Sequence, residues 1–114
     1  GRRCLEVQFD GNRYTTDVRF PNPNDRYVPS ADRLFTSLAN VAARNTIGVV
    51  LTGMGDDGAE GAKALVRRGG TVIAESEETA VVYGMPQAAV RAGVVRRSLA
   101  LDDIASYLND FTRG

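Results

Sequence analysis

Two adjacent carboxylates, Asp56 and Asp57, stand in a glycine-rich turn that reads Gly53-Met54-Gly55-Asp56-Asp57-Gly58. By pattern this is G-x-G-x-x-G. It follows an apolar run and opens a helical stretch, and Glu75 ends the next apolar run about 20 residues on. In a dinucleotide-binding module the glycines would admit a pyrophosphate to the helix N-terminus, and Glu75 would accept from a ribose hydroxyl. Electrostatics oppose that use. A pyrophosphate needs amide donors and the positive end of a helix dipole, whereas two aspartates would set like charges beside it. At a few ångströms such charges repel by about 1 kcal/mol in water and by several when partly buried. Two acids suit a cation, a polar hydrogen or an imidazolium better. A purely structural use is also open: Asp57 stands three residues before Glu60, the spacing of an N-cap with its capping-box partner.

The other reactive side chains narrow the chemistry. The chain has no histidine, so no mechanism that needs imidazole as base or metal ligand can be completed by these residues alone. Ser30 follows Pro29 and reads as a helix cap. Ser37 lies on a helix, Ser76 in a loop and Ser98 after the last strand. With no imidazole to activate them, none qualifies as a triad nucleophile. Cys4 cannot form an internal disulfide and reads as a half-buried packing residue rather than a reactive thiol. Tyr83 and Met85 suit either a substrate groove or packing.

The elements that must position the two carboxylates follow from periodicity. Residues 3–9 and 13–19 alternate as a β-hairpin about Asp10-Gly11-Asn12, where Asp-Gly favours the positive φ of a tight turn. Residues 20–29, with Pro21, Pro23 and Pro29, form a loop. A helix runs from the Ser30 cap to about Arg44, with Leu34, Phe35, Leu38, Val41 and Ala42 on one stripe. Asp32 stands in its first turn, where the dipole favours an acid, and Asn45 reads as a left-handed stop. Residues 47–51 form an unbroken, β-branched run without alternation, the mark of a central parallel strand covered on both faces. Residues 58–68 are helical and stop at Gly69-Gly70. Residues 71–74 form a second strand, and a short helix begins with Pro86 at its first position and ends at Gly93. Val94-Val95 reads as a third strand. Residues 101–111 close the chain as an amphipathic helix with Ile104, Tyr107, Leu108 and Phe111 on one face. The alternation predicts an α/β fold: a doubly wound, mostly parallel sheet with helices on both faces, plus an antiparallel β-hairpin. Its first parallel strand has no partner upstream, so the piece reads as a partial domain.

Composition sets the outer limits. The chain has 114 residues, 43% hydrophobic and 25% charged, with 14 basic and 14 acidic side chains. It is one domain with no net charge, which argues against nucleic acid or an anionic membrane surface as partner. No apolar run has membrane-spanning length, and one unpaired cysteine suits a reducing compartment, so a cytoplasmic location is expected.

The segment from Gly48 to Gly61 resembles the Gly-Val-(Ile/Leu)-Leu-Thr-Gly-Met-Gly-x-Asp-Gly-Ala-x-Gly stretch of the CheB-type protein-glutamate methylesterases of bacterial chemotaxis. Pro29 to Phe35 is similar to that family's Pro-Ser-Val-Asp-x-Leu-Phe, and Thr79 to Pro86 to its Ser/Thr-x-Val-Val-(Phe/Tyr)-Gly-Met-Pro. The resemblance spans nearly the whole chain. It implies a doubly wound α/β domain that hydrolyses γ-glutamyl methyl esters on chemoreceptors, and deamidates receptor glutamines, through a serine, histidine and aspartate triad. The family's aspartate falls on Asp57. Asp56 falls on the variable position and receives no role, and Met54 and Gly55 match the turn that lies against the triad. No cofactor or metal is implied. The family's Gly-x-Ser-x-Gly-Gly nucleophile turn and its histidine segment, both upstream in the family, are absent. Where many members carry His-Arg before Pro-Ser, this chain has Tyr27-Val28.

The expectation is therefore that residues 1–114 are the C-terminal portion of such a catalytic domain, inactive alone. Its partners would be the missing upstream half and the cytoplasmic region of a methylated chemoreceptor, with self-association through bared apolar surface. A dinucleotide-binding module built on the Gly53–Gly58 loop and a non-catalytic interaction domain on the same fold are the alternatives.

Overall fold

The computed structural model describes residues 3–113. Its elements are β1 (Cys4–Phe9), β2 (Tyr14–Arg19), α1 (Ala31–Ala42), β3 (Ile47–Val50), α2 (Ala59–Arg67), β4 (Thr71–Glu75), α3 (Gly84–Arg91), β5 (Arg97–Leu99) and α4 (Leu101–Arg113). β1 and β2 make an antiparallel ribbon of their own, while β3, β4 and β5 form a parallel sheet in that order. The ribbon's turn is held by Asp10, whose carboxylate accepts from the amides of Asn12 and Arg13 at 2.9 and 3.0 Å.

The core lies on one face of the parallel sheet. Phe35 and Ala39 of α1, Ala62 and Leu65 of α2 and Ala89 of α3 close over Val50, Val72 and Ala74. Strand alternation turns Ile73 to the opposite face, where it is fully buried. Helix α4 packs on β4 and β5 there, with Ile104 buried and Phe111 at its exposed end. Helices thus cover both faces, as an α/β sheet requires.

The ribbon is fastened to α1 by two polar side chains. Ser37 accepts from the Val7 amide at 2.9 Å and donates to the Leu34 carbonyl at 2.7 Å. Arg33 forks to Glu6 at 2.6 Å and to Asp25 at 2.9 Å, and donates to the Phe20 carbonyl at 3.2 Å. One guanidinium therefore ties ribbon, loop and helix together. Cys4 is buried, a packing residue and more enclosed than its half-buried reading.

Several sequence expectations need correction. β3 pairs, among the described residues, only with β4, as its lack of an upstream partner predicts, but the cover expected on both of its faces is incomplete. Its alternate residues Ile47 and Val49 are half-buried and Leu51 is exposed. Asn45 is not left-handed: α1 tightens into a 3-10 turn over Ala43–Asn45 and the chain leaves in extended conformation at Thr46. The third strand is Arg97–Leu99 rather than Val94-Val95. Those valines pack under the core, and pairing starts only with the Arg96 amide on the Val72 carbonyl at 2.8 Å. The strand is a sheet edge, where polar residues are at home. α3 starts at Gly84, so Pro86 sits third, still within the turn that needs no amide donor.

α1 and α2 are in close contact at Gly61. A Cβ there would stand 2.7 Å from the Phe35 Cβ and 3.0 Å from the Asp32 Cα and carbonyl oxygen. Gly→Ala in a helix interior ordinarily stabilises by up to about 1 kcal/mol. Gly61→Ala should instead destabilise the folded domain by about 1–3 kcal/mol, because backbone rather than a flexible side-chain tip would have to move. A fall in the urea midpoint at constant slope checks this, and an unchanged or raised midpoint would show that the helices are not locked.

Candidate active site

Asp57 lies between β3 and α2, at the carboxyl end of the sheet, where side chains of α/β folds are presented for chemistry. It is 5% exposed. It does not cap its own helix, contrary to the capping-box reading. That place is taken by Gly58, in a left-handed conformation with φ 98° and no side chain to offer. Glu60 pairs with Lys63 at 3.1 Å instead.

Asp57 caps the other helix. Its Oδ2 accepts from the Ala31 amide at 2.6 Å, and its Oδ1 from the Asp32 amide at 3.0 Å and the Ser30 hydroxyl at 3.2 Å. Ser30 closes the same turn conventionally, accepting from the Arg33 amide at 3.3 Å. Asp32 returns the arrangement, its Oδ1 accepting from the Gly58 and Gly61 amides at 3.0 and 2.7 Å. Each helix start is therefore closed by an aspartate from the other side, and Asp32 is the residue that sequence reading missed. Its trace was present: Gly58 heads a helix with no capping side chain of its own, so the acceptor had to come from elsewhere.

Burial raises the Asp32 carboxyl above its ordinary value of 3.8; the Gly61 amide opposes this, the Asp57 charge adds to it, and the Gly58 amide opposes it. Asp57 keeps capacity in hand. A carboxylate oxygen has two lone pairs, and among the described residues Oδ2 accepts only one hydrogen bond.

The rest of the turn is held from outside. Asp56 is exposed and accepts from the Tyr27 hydroxyl at 2.9 Å, with Arg26 at 3.5 Å. That hydroxyl bond, followed by the Arg26 charge, holds its carboxyl below the ordinary value. Gly55 lies directly under Tyr27, whose hydroxyl would be 2.6 Å from any Cβ placed there. Met54 projects at the tip, 80% exposed. The Gly53 amide donates to the Val82 carbonyl at 2.9 Å, and Gly53 accepts from the Met85 amide at 2.8 Å. Met85 packs against Gly53 and the core, which favours its packing role.

Glu75 is not a free ribose acceptor. It is 2% exposed and both oxygens are engaged, by the Thr52 amide at 2.9 Å and the Thr79 hydroxyl at 2.8 Å. At the start of α2 the Gly58 and Gly61 amides are already given to Asp32, and the Ala59 amide to the Asp56 carbonyl. The dinucleotide reading therefore loses both of its contacts. Among the described residues no group of three or more acidic, histidine or cysteine side chains could hold a metal ion, and no helix is long and apolar enough to cross a membrane.

Comparison with known proteins points one way. The family described as CheB methylesterase matches residues 1–108. A protein-glutamate methylesterase/protein-glutamine glutaminase of Myxococcus xanthus is 49% identical over 113 residues, 99% of this chain and 33% of that protein. A second, from Geobacter sulfurreducens, is 54% identical over 102 residues, 90% of this chain and 28% of that protein. The chain thus spans about a third of the length of these curated relatives. The crystal structure of the Thermotoga maritima CheB methylesterase catalytic domain superposes with a TM-score of 0.90 at 32% identity, over 95% of this chain and 57% of that one. The turn that carries Asp57, the sheet that presents it and the match over nearly the whole length together establish that the chain belongs to the CheB methylesterase family.

Proposed function

We propose that this chain is the C-terminal portion of the catalytic domain of a chemoreceptor protein-glutamate methylesterase and glutamine deamidase, and that Asp57 is the triad carboxylate. The observation that carries this is the state of Asp57: buried, fixed by three donors, and left with one acceptor lone pair on Oδ2. A triad carboxylate must accept one imidazole N–H, hold the ring in one tautomer and stabilise the imidazolium. Serine and histidine would come from the upstream half. Serine attacks the ester carbonyl, histidine takes its proton and passes it to departing methanol, and water then hydrolyses the acyl-enzyme. Met54 and Gly55 would border the reacting groups, Met54 as an exposed apolar contact and Gly55 by letting the turn lie under Tyr27. The protein would work in the cytoplasm, on the cytoplasmic region of the receptor.

The unpaired side of β3 and the apolar tip of the site support a missing half. β3 has composition suited to a strand flanked on both sides, and Met54 and Val81 stand 80% and 89% exposed on two loops that are hydrogen-bonded to each other. Left bare, this surface favours self-association of the isolated chain.

Methanol release from a methylated receptor tests the reading. The chain alone should be inactive, and adding the upstream half should restore activity. Silence in the mixture, with both pieces folded, would leave the interaction-domain alternative in possession. In the whole enzyme, Asp57→Asn should lower kcat by about 10³-fold or more, by analogy with loss of the triad charge in serine proteases. The asparagine would also turn its amide toward Ala31 or Ser30 and Asp32. A drop in stability of about 1–2 kcal/mol should therefore accompany the kinetic loss. Wild-type turnover in a folded Asp57→Asn enzyme would remove Asp57 from the triad.

A further inference from the structure

We infer that Asp32 is a positioning residue of the same site: it holds the backbone that carries Asp57, and it adds a second negative charge beside the imidazole that Asp57 orients. The inference rests on the reading of Asp57 as the triad carboxylate.

Geometry gives Asp32 the first role. Its Oδ1 is the acceptor for the amides of Gly58 and Gly61, so it grips the residue that follows Asp57 in sequence and the first turn of α2. The Asp32 amide in turn donates to Asp57. The two aspartates are mutually fixed, and a shift of either helix start would move both.

The second role follows from a choice of residue type that capping alone does not require. Asparagine and serine cap helices about as well as aspartate. Asparagine at position 32 would keep an acceptor oxygen and place no like charge next to Asp57. The surroundings do not neutralise the pair. Arg33 is engaged by Glu6 and Asp25, Arg26 faces Asp56, and Lys63 pairs with Glu60. Among the described residues no cation lies within ion-pair distance of Asp32 or Asp57; Arg26 and Arg33 line the cavity beside Asp32 but are engaged by other carboxylates. The cost to stability has a definite sign. The folded state holds the Asp32 proton more tightly than the unfolded chain does. Stability from this group is therefore fully present below the ordinary aspartate range and is lost as pH rises through the raised value. At neutral pH the charge works against folding. Its benefit lies with a cation that appears in catalysis: an imidazolium backed by two carboxylates is more stable than one backed by one.

The test uses the whole enzyme and the pH profile of kcat/KM for methanol release. Its acidic limb reports the imidazole of the free enzyme. Asp32→Asn should move that limb to lower pH by about half a unit, because one nearby negative charge is gone. Its thermal midpoint at neutral pH should stay level or rise. Asp32→Ala, which loses the cap as well, should lower kcat about tenfold or more at unchanged KM, with Asp32→Asn restoring most of it. A limb in Asp32→Asn that superimposes on wild type overturns the inference, and this variant decides even if Asp32→Ala does not fold. Asp57→Asn is run alongside. If it is inactive while the Asp32→Asn limb is unmoved, Asp32 is only a cap and the reading of Asp57 stands. If it is fully active, both fall.

Discussion

Helix starts expose amides that must find acceptors once water is excluded, and here two helices meet that need by exchange. Asp57, at the head of α2, satisfies α1; Asp32, in the first turn of α1, satisfies α2. Neither helix can slide along the other without uncapping both. Glycine at position 61 belongs to the same arrangement, because the capping distance brings the α2 backbone onto Asp32 with no room for a Cβ. The ribbon depends on it one step further out. Arg33, next in sequence to Asp32, reaches Glu6 and Asp25, so the first turn of α1 sets where β1 and the proline-rich loop come to rest.

The opposite flank of the site turn is held by a second set of bonds. Glu75, at the end of β4, takes the Thr52 amide and the Thr79 hydroxyl. Thr79 in turn accepts from the Leu101 amide at 3.1 Å, and Thr52 exchanges bonds with Val82. A buried carboxylate is tolerable when its oxygens are bonded, and this one fastens three segments that meet only in the folded chain. Gly84 lets them close, since a Cβ there would stand 2.9 Å from the Gly53 carbonyl oxygen. With its ends gripped by α1 and by this knot, the turn has little freedom, while Met54 reaches out at its tip.

Much of this was legible because it is local. The hairpin announces itself by alternation around Asp10-Gly11, α1 by its stripe and Ser30, and β3 and β4 by their unbroken apolar runs. What failed depended on partners distant in sequence. Asp57 satisfies the local rule for a capping box, and the rule is overridden because its acceptors are claimed by a helix 25 residues or more away. Glu75 sits at a ribose-binding spacing yet is consumed by Thr52 and Thr79. β5 begins later than its valines suggest, because Val94 and Val95 serve the core while pairing is decided by register against β4. Asp32 looked like a favourable dipole charge and nothing more. That description is true of α1 and silent about α2.

The same exchange separates this turn from the phosphate-binding loops it imitates. Both place glycines between a strand and a helix, and both leave helix amides in need of an anion. In a phosphate loop the ligand is that anion, so the amides point outward and the site is positive. Here the anion is built in. Asp32 fills the amides of α2 from within, the net charge of the turn becomes negative, and the remaining lone pair on Asp57 is an acceptor instead of a docking place for an anion. The glycine pattern records only that the backbone passes closely and turns sharply. Whether such a turn binds phosphate or accepts a proton donor is decided by which carboxylates complete it. Because that completion lies within this chain, the Asp57 carboxylate is oriented by its own fold, and on the triad reading proposed above an imidazole from the upstream half would need only to align one N–H with an acceptor already in place.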